Sequence, residues 1–238
     1  MKELKKNNTK FWYNESLLSD PVEQVFEPDY WQSQDRIIGS AQGRGTTWFV
    51  RMDTCDAALR HYRRGGLFGK LVKDYYWFTG WKNTRSYKEY ALLNTLAKAG
   101  VHVPRPIAIR SVRTGCFYRA DLLSEKVKDA EDLVSFLSKR TISKQLCRSI
   151  GYEIKKMHQI NVNHTDLNIH NILIDRTDKV WIIDFDKCYQ SNHGGWQQEN
   201  LNRLERSFRK EKGRADALKD LNVENIFGEI LFGYNEQK

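Results

Sequence analysis

The sequence predicts an α+β fold in two lobes, a β-rich N-terminal lobe and a mainly helical C-terminal one. Three observations predict it. Up to about residue 122, apolar residues mostly fall in short runs broken by glycine, proline and polar turns. Beyond it they recur at helical spacing, as in Leu146, Ile150, Ile154, Met157 and Ile160. After that helix come a polar string, His164-Thr165-Asp166-Leu167-Asn168-Ile169-His170-Asn171, and an apolar hairpin ending on Asp184-Phe185-Asp186.

Each element follows from its local pattern. Residues 1–30 carry scattered aromatics without a period and read as an N-terminal extension of unreadable role. The N-lobe spans residues 31–122. It begins with a strand, glycine turn and strand over 37–50, then a third strand, Ala57-Ala58-Leu59, ending in base. Tyr87, Ala91, Leu92, Leu93, Leu96 and Ala97 predict a helix over 85–98, stopped by Gly100. Strands at 107–109 and 117–123 complete this lobe. The C-lobe, 123–238, holds a helix over 143–160, the polar loop and the hairpin of 172–174 and 181–183. Helices over 201–212 and 216–221 close it.

Composition narrows the partners. The chain of 238 residues has 39 Lys and Arg against 30 Asp and Glu, a net charge of +9, so it favours anions. Cys55, Cys116, Cys147 and Cys188 are too scattered for a zinc site or a disulfide framework and read as reduced cytosolic thiols. The polar, basic N-terminus has no secretory signal, and no apolar run reaches membrane-spanning length. Contact with a membrane would therefore be at its surface.

The polar loop carries the chemistry. An Asp, an Asn five residues on and a second Asp beyond a short strand are what phosphoryl transfer from Mg²⁺–ATP requires. Asp166 is the candidate catalytic residue, a carboxylate that orients the attacking hydroxyl. Asn171 and Asp184 are the candidate metal ligands. Asp186 either adds a carboxylate to the metal or caps the next turn; capping is slightly favoured. Gly39, Gly43 and Gly45 are candidates for a turn whose backbone N–H groups approach the phosphates. Arg60 and Glu89 are the candidate phosphate-neutralising pair, with Lys70 and Lys73 as fallback phosphate binders. His164 reads as architectural, and His158 and His170 as local packing or hydrogen-bonding residues.

These motifs resemble the protein-kinase signature, with HTDLxxxN for HRDLxxxN and DFD for DFG. The implied fold is bilobal and protein-kinase-like. The departures matter. Thr165 stands where an Arg would receive an activation-loop phosphate, Asn168 replaces a common Lys, and no A-P-E follows Asp186. These point away from a regulated protein kinase and towards a small kinase with a compact acceptor. From Arg60 to Lys88, eight Lys and Arg interleave with Tyr75-Tyr76-Trp77-Phe78 and Trp81 against the single acid Asp74. Such a stretch suits an anionic membrane interface, a solvated face beside core aromatics, or single-stranded nucleic acid.

Four strings carry a closer resemblance: Gly-Arg-Gly-Thr-Thr-Trp-Phe at 43–49, Leu-Arg-His-Tyr-Arg-Arg-Gly-Gly at 59–66, the 164–171 loop, and Asn-Leu-Asn-Arg-Leu-Glu-Arg-Ser at 200–207. They resemble the 3-deoxy-D-manno-octulosonic acid (Kdo) kinases among the lipopolysaccharide kinases, from about Gly39 to Lys212. The resemblance implies ATP-dependent phosphorylation of the 4-hydroxyl of Kdo on a lipid A precursor. ATP and Mg²⁺ are the implied cofactors. The anionic glycolipid and the cytoplasmic face of the bacterial inner membrane are the implied partners, with no nucleic acid. Arg203 and Arg206 are candidates to hold the Kdo carboxylate, beside the plainer reading of a solvated helix face. A heptose kinase and a small atypical protein kinase are the alternatives, with an RNA-binding pseudokinase as the non-enzymatic rival.

Overall fold

The computed structural model describes residues 1–43, 45–64 and 74–236. The chain divides into two compact units, Met1–Asn94 with Arg105–Val127, and Thr95–Pro104 with Lys128–Lys238. The sequence places the boundary between the lobes at residue 122. The difference has local causes. The last strand of the sheet runs on to Glu125, and residues 95–104 are tied into the second unit. There His102 receives the Ile182 N–H on its carbonyl at 3.0 Å, and its own N–H donates to Glu153 at 3.1 Å.

The first unit is an antiparallel sheet. Its strands are β1 (Lys2–Lys6), β2 (Thr9–Tyr13), β3 (Ile37–Gln42), β4 (Thr46–Arg51), β5 (Asp56–His61), β6 (Tyr76–Trp77), β7 (Pro106–Thr114) and β8 (Phe117–Glu125). The order is β1-β2-β7-β8-β5-β4-β3, with β6 paired to β8. Helices α1 (Pro28–Gln32) and α2 (Arg85–Lys98) belong to the same stretch of chain.

Residues 1–30 are not an extension. Strand β2 pairs along β7, with Trp12 opposite Ile109. Phe11, Leu18, Val25, Phe26 and Trp31 join Val50, Ala57, Leu59, Ile107 and Leu123 in one core. The Trp31 indole N–H donates to the Val25 carbonyl at 2.8 Å, so its polar atom is satisfied inside. Burying each large apolar side chain contributes about 1.5–3 kcal/mol. The sequence reading missed this because 14–27 is irregular and its apolar residues reach the core without a period.

Helix α2 has the expected bounds but a different buried face. Ala91 and Ala97 are exposed, while Ser86 and Glu89 are buried with Tyr90, Leu92, Leu93 and Leu96. Glu89 tolerates burial because charged and hydroxyl partners meet it there, as described below.

The second unit begins with β9 (Ala130–Asp132) and α3 (Leu133–Leu137), neither of which the sequence reading found. Asp132 caps α3, accepting the N–H groups of Val134 and Ser135. Then follow α4 (Lys144–Gln159), capped by Ser143, β10 (Val162–Asn163), β11 (Ile172–Asp175), β12 (Val180–Ile182), β13 (Tyr189–Gln190), α5 (Trp196–Lys212) and α6 (Val223–Asn235). Strands β12, β11 and β9 form one small sheet, β10 and β13 another. Helix α5 starts five residues before the expected Leu201. The expected helix over 216–221 is only a 3-10 turn, Asp216–Leu218. Helix α6 went unread, although Asn222 caps it and Val223, Ile226, Phe227 and Ile230 are buried. It crosses α4 at backbone contact. A Cβ on Gly151 would fall 1.9 Å from the Ile230 carbonyl oxygen, and one on Gly233 2.2 Å from that of Arg148. Among the described residues no helix is long and apolar enough to cross a membrane.

Candidate active site

Asp166 stands on the loop between β10 and β11. Four hydrogen bonds close a circuit around it. The Asp166 N–H donates to His164 Nδ1 at 3.3 Å, and Asn171 Nδ2 donates to the Asp166 carbonyl at 3.0 Å. The Ile183 N–H donates to the Asn171 carbonyl at 3.0 Å, and His164 Nε2 donates to the Ile183 carbonyl at 3.0 Å. Asn168 Nδ2 adds a second bond to the Asp166 carbonyl at 2.8 Å. The loop is therefore held through backbone atoms, and the Asp166 carboxylate is left half exposed.

His164 must be neutral for this circuit. A carbonyl only accepts, so Nε2 carries the proton and Nδ1 receives the Asp166 N–H. Burial pushes the pKa of this fully enclosed ring below its ordinary value, which keeps that tautomer. Phe185 packs against the ring with centroids 4.8 Å apart. The architectural role expected for His164 is what the geometry shows.

The same circuit brings Asn171 and Asp184 to one end of the β11–β12 hairpin, since Ile183 pairs with Asn171 and Asp184 follows it. Asp184 takes a left-handed backbone, φ 62°, uncommon outside glycine though tolerated by Asp. Phe185 then drops into the core and the chain turns, the Cys188 N–H bonding the Phe185 carbonyl at 3.0 Å. Asp186 lies half buried in that turn.

These donors fit Mg²⁺. The Asn171 amide spends its NH₂ on the Asp166 carbonyl, so its oxygen is the end available as a ligand. An amide oxygen and a carboxylate are hard donors, and Mg²⁺ completes its shell with phosphate and water rather than an all-protein cage. No group of three His, Cys, Asp or Glu suited to a metal occurs among the described residues.

In the first unit, the expected Arg60–Glu89 pair forms: an Arg60 guanidinium nitrogen donates to Glu89 Oε1. The Tyr62 hydroxyl, which sequence reasoning missed, donates to Glu89 Oε2 at 2.5 Å. Arg60 is 28% exposed and Glu89 4%, so the cation has the freer side. The three glycines do not share one turn. Gly39 sits within β3 at a register shift, with φ 153°, whereas Gly43 and Gly45 flank the β3–β4 turn. The Gly43 N–H donates to the Gly45 carbonyl at 3.0 Å. A Cβ on Gly45 would lie 2.8 Å from Arg63 Cδ, so a second cation, also missed, crosses this turn. Lys70 and Lys73 lie outside the described residues.

His61 joins this ionic side. It bonds Asp121 at 2.7 Å and Asp74 at 3.1 Å, and Asp121 raises its pKa above the ordinary value. His158 is buried and bonds the Tyr234 hydroxyl at 2.9 Å. His170 is 54% exposed, between Asp132 at 3.7 Å and Glu211 at 3.5 Å.

Helix α5 aligns one face with the Asp166 loop. Asn200 Oδ1 accepts the His164 N–H at 3.0 Å, and Ser207 Oγ accepts the Ile169 N–H at 3.0 Å. Between them, Arg203 Nη1 stands 3.7 Å from Asp166 Oδ1. Arg206, one turn on, is exposed.

A loop carboxylate beside an amide and a second carboxylate is the donor set that phosphoryl transfer would use. The solved structure of WaaP in complex with acyl carrier protein superposes with a TM-score of 0.58 over 96% of this chain and 89% of that one, at 16% identity. Such low identity speaks for a shared kinase-like fold alone. Residues 28–226 match the lipopolysaccharide kinase (Kdo/WaaP) family, and the chain belongs to that family. It is 60% identical over 205 residues to the 3-deoxy-D-manno-octulosonic acid kinase of Vibrio parahaemolyticus, covering 86% of each chain. The protein of the same name from Vibrio cholerae is 61% identical, with 85% of this chain and 86% of that one covered. One from Haemophilus influenzae is 44% identical, with 91% and 93% covered.

Proposed function

We propose that this protein transfers the γ-phosphoryl group of Mg²⁺–ATP to the 4-hydroxyl of Kdo on a lipid A precursor. The observation that carries the proposal is the locked loop, which presents the Asp166 carboxylate while its backbone ties Asn171 and Asp184 to the same hairpin end. Asp166 accepts a hydrogen bond from the acceptor hydroxyl and orients its oxygen. Asn171 and Asp184 hold Mg²⁺, which when bound neutralises charge on the phosphates. On the first unit, Arg60, steadied by Glu89, is a cation suited to a phosphate.

The proposal extends to location: the protein acts at the cytoplasmic face of the inner membrane. Supporting this, Trp77 is 62% and Phe117 42% exposed, and the two rings meet edge to face at 5.3 Å. Arg119 lies over Tyr75 and Arg113 over Phe78 beside them. Exposed aromatics among cations suit an anionic bilayer surface. Tyr76, by contrast, is core.

The test is transfer of labelled phosphate from ATP to Kdo–lipid A precursor by purified protein, with mass spectrometry locating the phosphate. Product on a heptose or on protein, with none on Kdo, overturns the assignment. Sedimentation with anionic but not neutral vesicles, weakened by Trp77→Ser, supports the membrane face; no binding removes it.

A further inference from the structure

We infer that Arg203 binds the acceptor's carboxylate and makes this site selective for a sugar acid; the inference rests on the Kdo reading above. The placement of Arg203 is built, because the bonds from Asn200 and Ser207 fix the helix face that carries it against the loop carrying Asp166. At 3.7 Å the pair is too long for a hydrogen bond, and both side chains are about half exposed, 48% and 52%. No hydrogen bond from the Arg203 guanidinium occurs among the described residues, whereas Arg209 on the same helix spends its donors on Glu205 and Glu224 at 2.8 and 2.7 Å. An exposed ion pair of this kind adds little to stability. Arg203 thus keeps a planar fork of N–H donors free beside the carboxylate that orients the nucleophile.

That fork matches a carboxylate in bidentate fashion. An acceptor with its hydroxyl on Asp166 can place an acid group on Arg203 only if both belong to one compact molecule, as in a sugar acid. Binding then exchanges one counter-ion for another. The acceptor's carboxylate takes the guanidinium and releases Asp166 to accept the hydroxyl's hydrogen bond, so recognition and orientation occur together. A neutral sugar leaves Arg203 paired with Asp166 and gains neither effect.

The test compares Kdo–lipid A precursor with the same acceptor after conversion of the Kdo carboxylate to a carboxamide. The enzyme is wild type, Arg203→Ala or Arg203→Lys. Wild type is expected to prefer the acid by about 10- to 100-fold in kcat/KM, mostly through KM. Arg203→Ala should lose that preference, its acid-to-carboxamide ratio of kcat/KM falling to about one whatever its absolute rate, and Arg203→Lys should keep part of it, as a point charge does. Equal losses on both acceptors would mean a structural or Asp166-directed role and overturn the inference, as would unchanged preference in Arg203→Ala. Failure of the Kdo reading looks different: wild type itself leaves the acid acceptor unphosphorylated, and both proposals fall.

Discussion

The loop that carries Asp166 and the inner strand that carries Arg60 hold their side chains by different means. Around Asp166, neutral groups bond backbone: the His164 imidazole and the Asn168 and Asn171 amides. Around Arg60, charges bond charges: Arg60 with Glu89, His61 with Asp74 and Asp121, and Arg110 with Asp121 and Glu27. The two histidines make the contrast plain. Burial lowers the pKa of His164, while Asp121 raises that of His61. Bonds from neutral side chains to backbone fix the shape of a loop and resist salt. An ionic network aims side chains at an incoming anion, and its strength depends on salt and protonation.

Breaking the catalytic loop's chemistry without its shape should have the largest effect. Asp166→Asn is expected to lower kcat by about 10²- to 10⁴-fold. Its urea midpoint should stay at the wild-type value, because the carbonyl rather than the carboxylate carries the loop bonds. Near-normal turnover would remove Asp166 from the mechanism.

Breaking the shape comes next. His164→Ala strands the part-buried Asp166 N–H and Ile183 carbonyl and opens space beside Phe185, at a cost of about 2–4 kcal/mol in urea unfolding. Added salt should not change that cost. Glu89→Ala leaves Arg60 and Tyr62 without this partner, at about 2–3 kcal/mol, less than a fully buried pair because Arg60 reaches solvent. Its KM for ATP should rise, and 0.5 M salt should narrow its difference from wild type. Equal salt responses in the two variants would erase the proposed distinction.

The smallest effect is that of pH, and the two regions should respond in opposite directions. Burial pushes His158 down to about 4. Below about pH 6.5 the unfolded chain protonates this ring while the folded one does not, so stability falls as the solution is acidified from 6.5 towards 4. His164, also lowered, acts in the same direction. His61 has the opposite sign: its stabilisation is complete below about 6.5 and is lost as pH rises through its raised folded value. From pH 7 to 6 each ring contributes under about 1 kcal/mol. Ring ¹⁵N titrations resolve them, with His61 above 6.5 and His158 near 4.

Legibility in the sequence followed distance along the chain. Asp166, Asn171 and Asp184 fall within one loop and hairpin, where spacing nearly dictates geometry, so their grouping could be read directly. Arg60 and Glu89 are 29 residues apart and were paired by analogy with a strand and helix, which the fold bears out. Tyr62 and Arg63 gave no comparable signal, since a tyrosine and an arginine after a strand are common surface residues. Gly39 was grouped with Gly43 and Gly45 by composition, but a register shift in β3 separates it from their turn. Residues 1–30 and helix α6 were lost because both depend on packing partners far away in sequence.

By itself the sequence determined the short-range chemistry: a carboxylate, an amide and a second carboxylate at spacings that one loop and one hairpin convert into a site. It also determined a basic chain suited to anionic ligands. Tertiary structure alone decided that the first thirty residues are core and sheet, that Glu89 can be buried as a charge, and that Arg203 faces Asp166. Each of those depends on which distant segments meet, and a meeting between distant segments is decided by the area and hydrogen bonds gained over the whole fold.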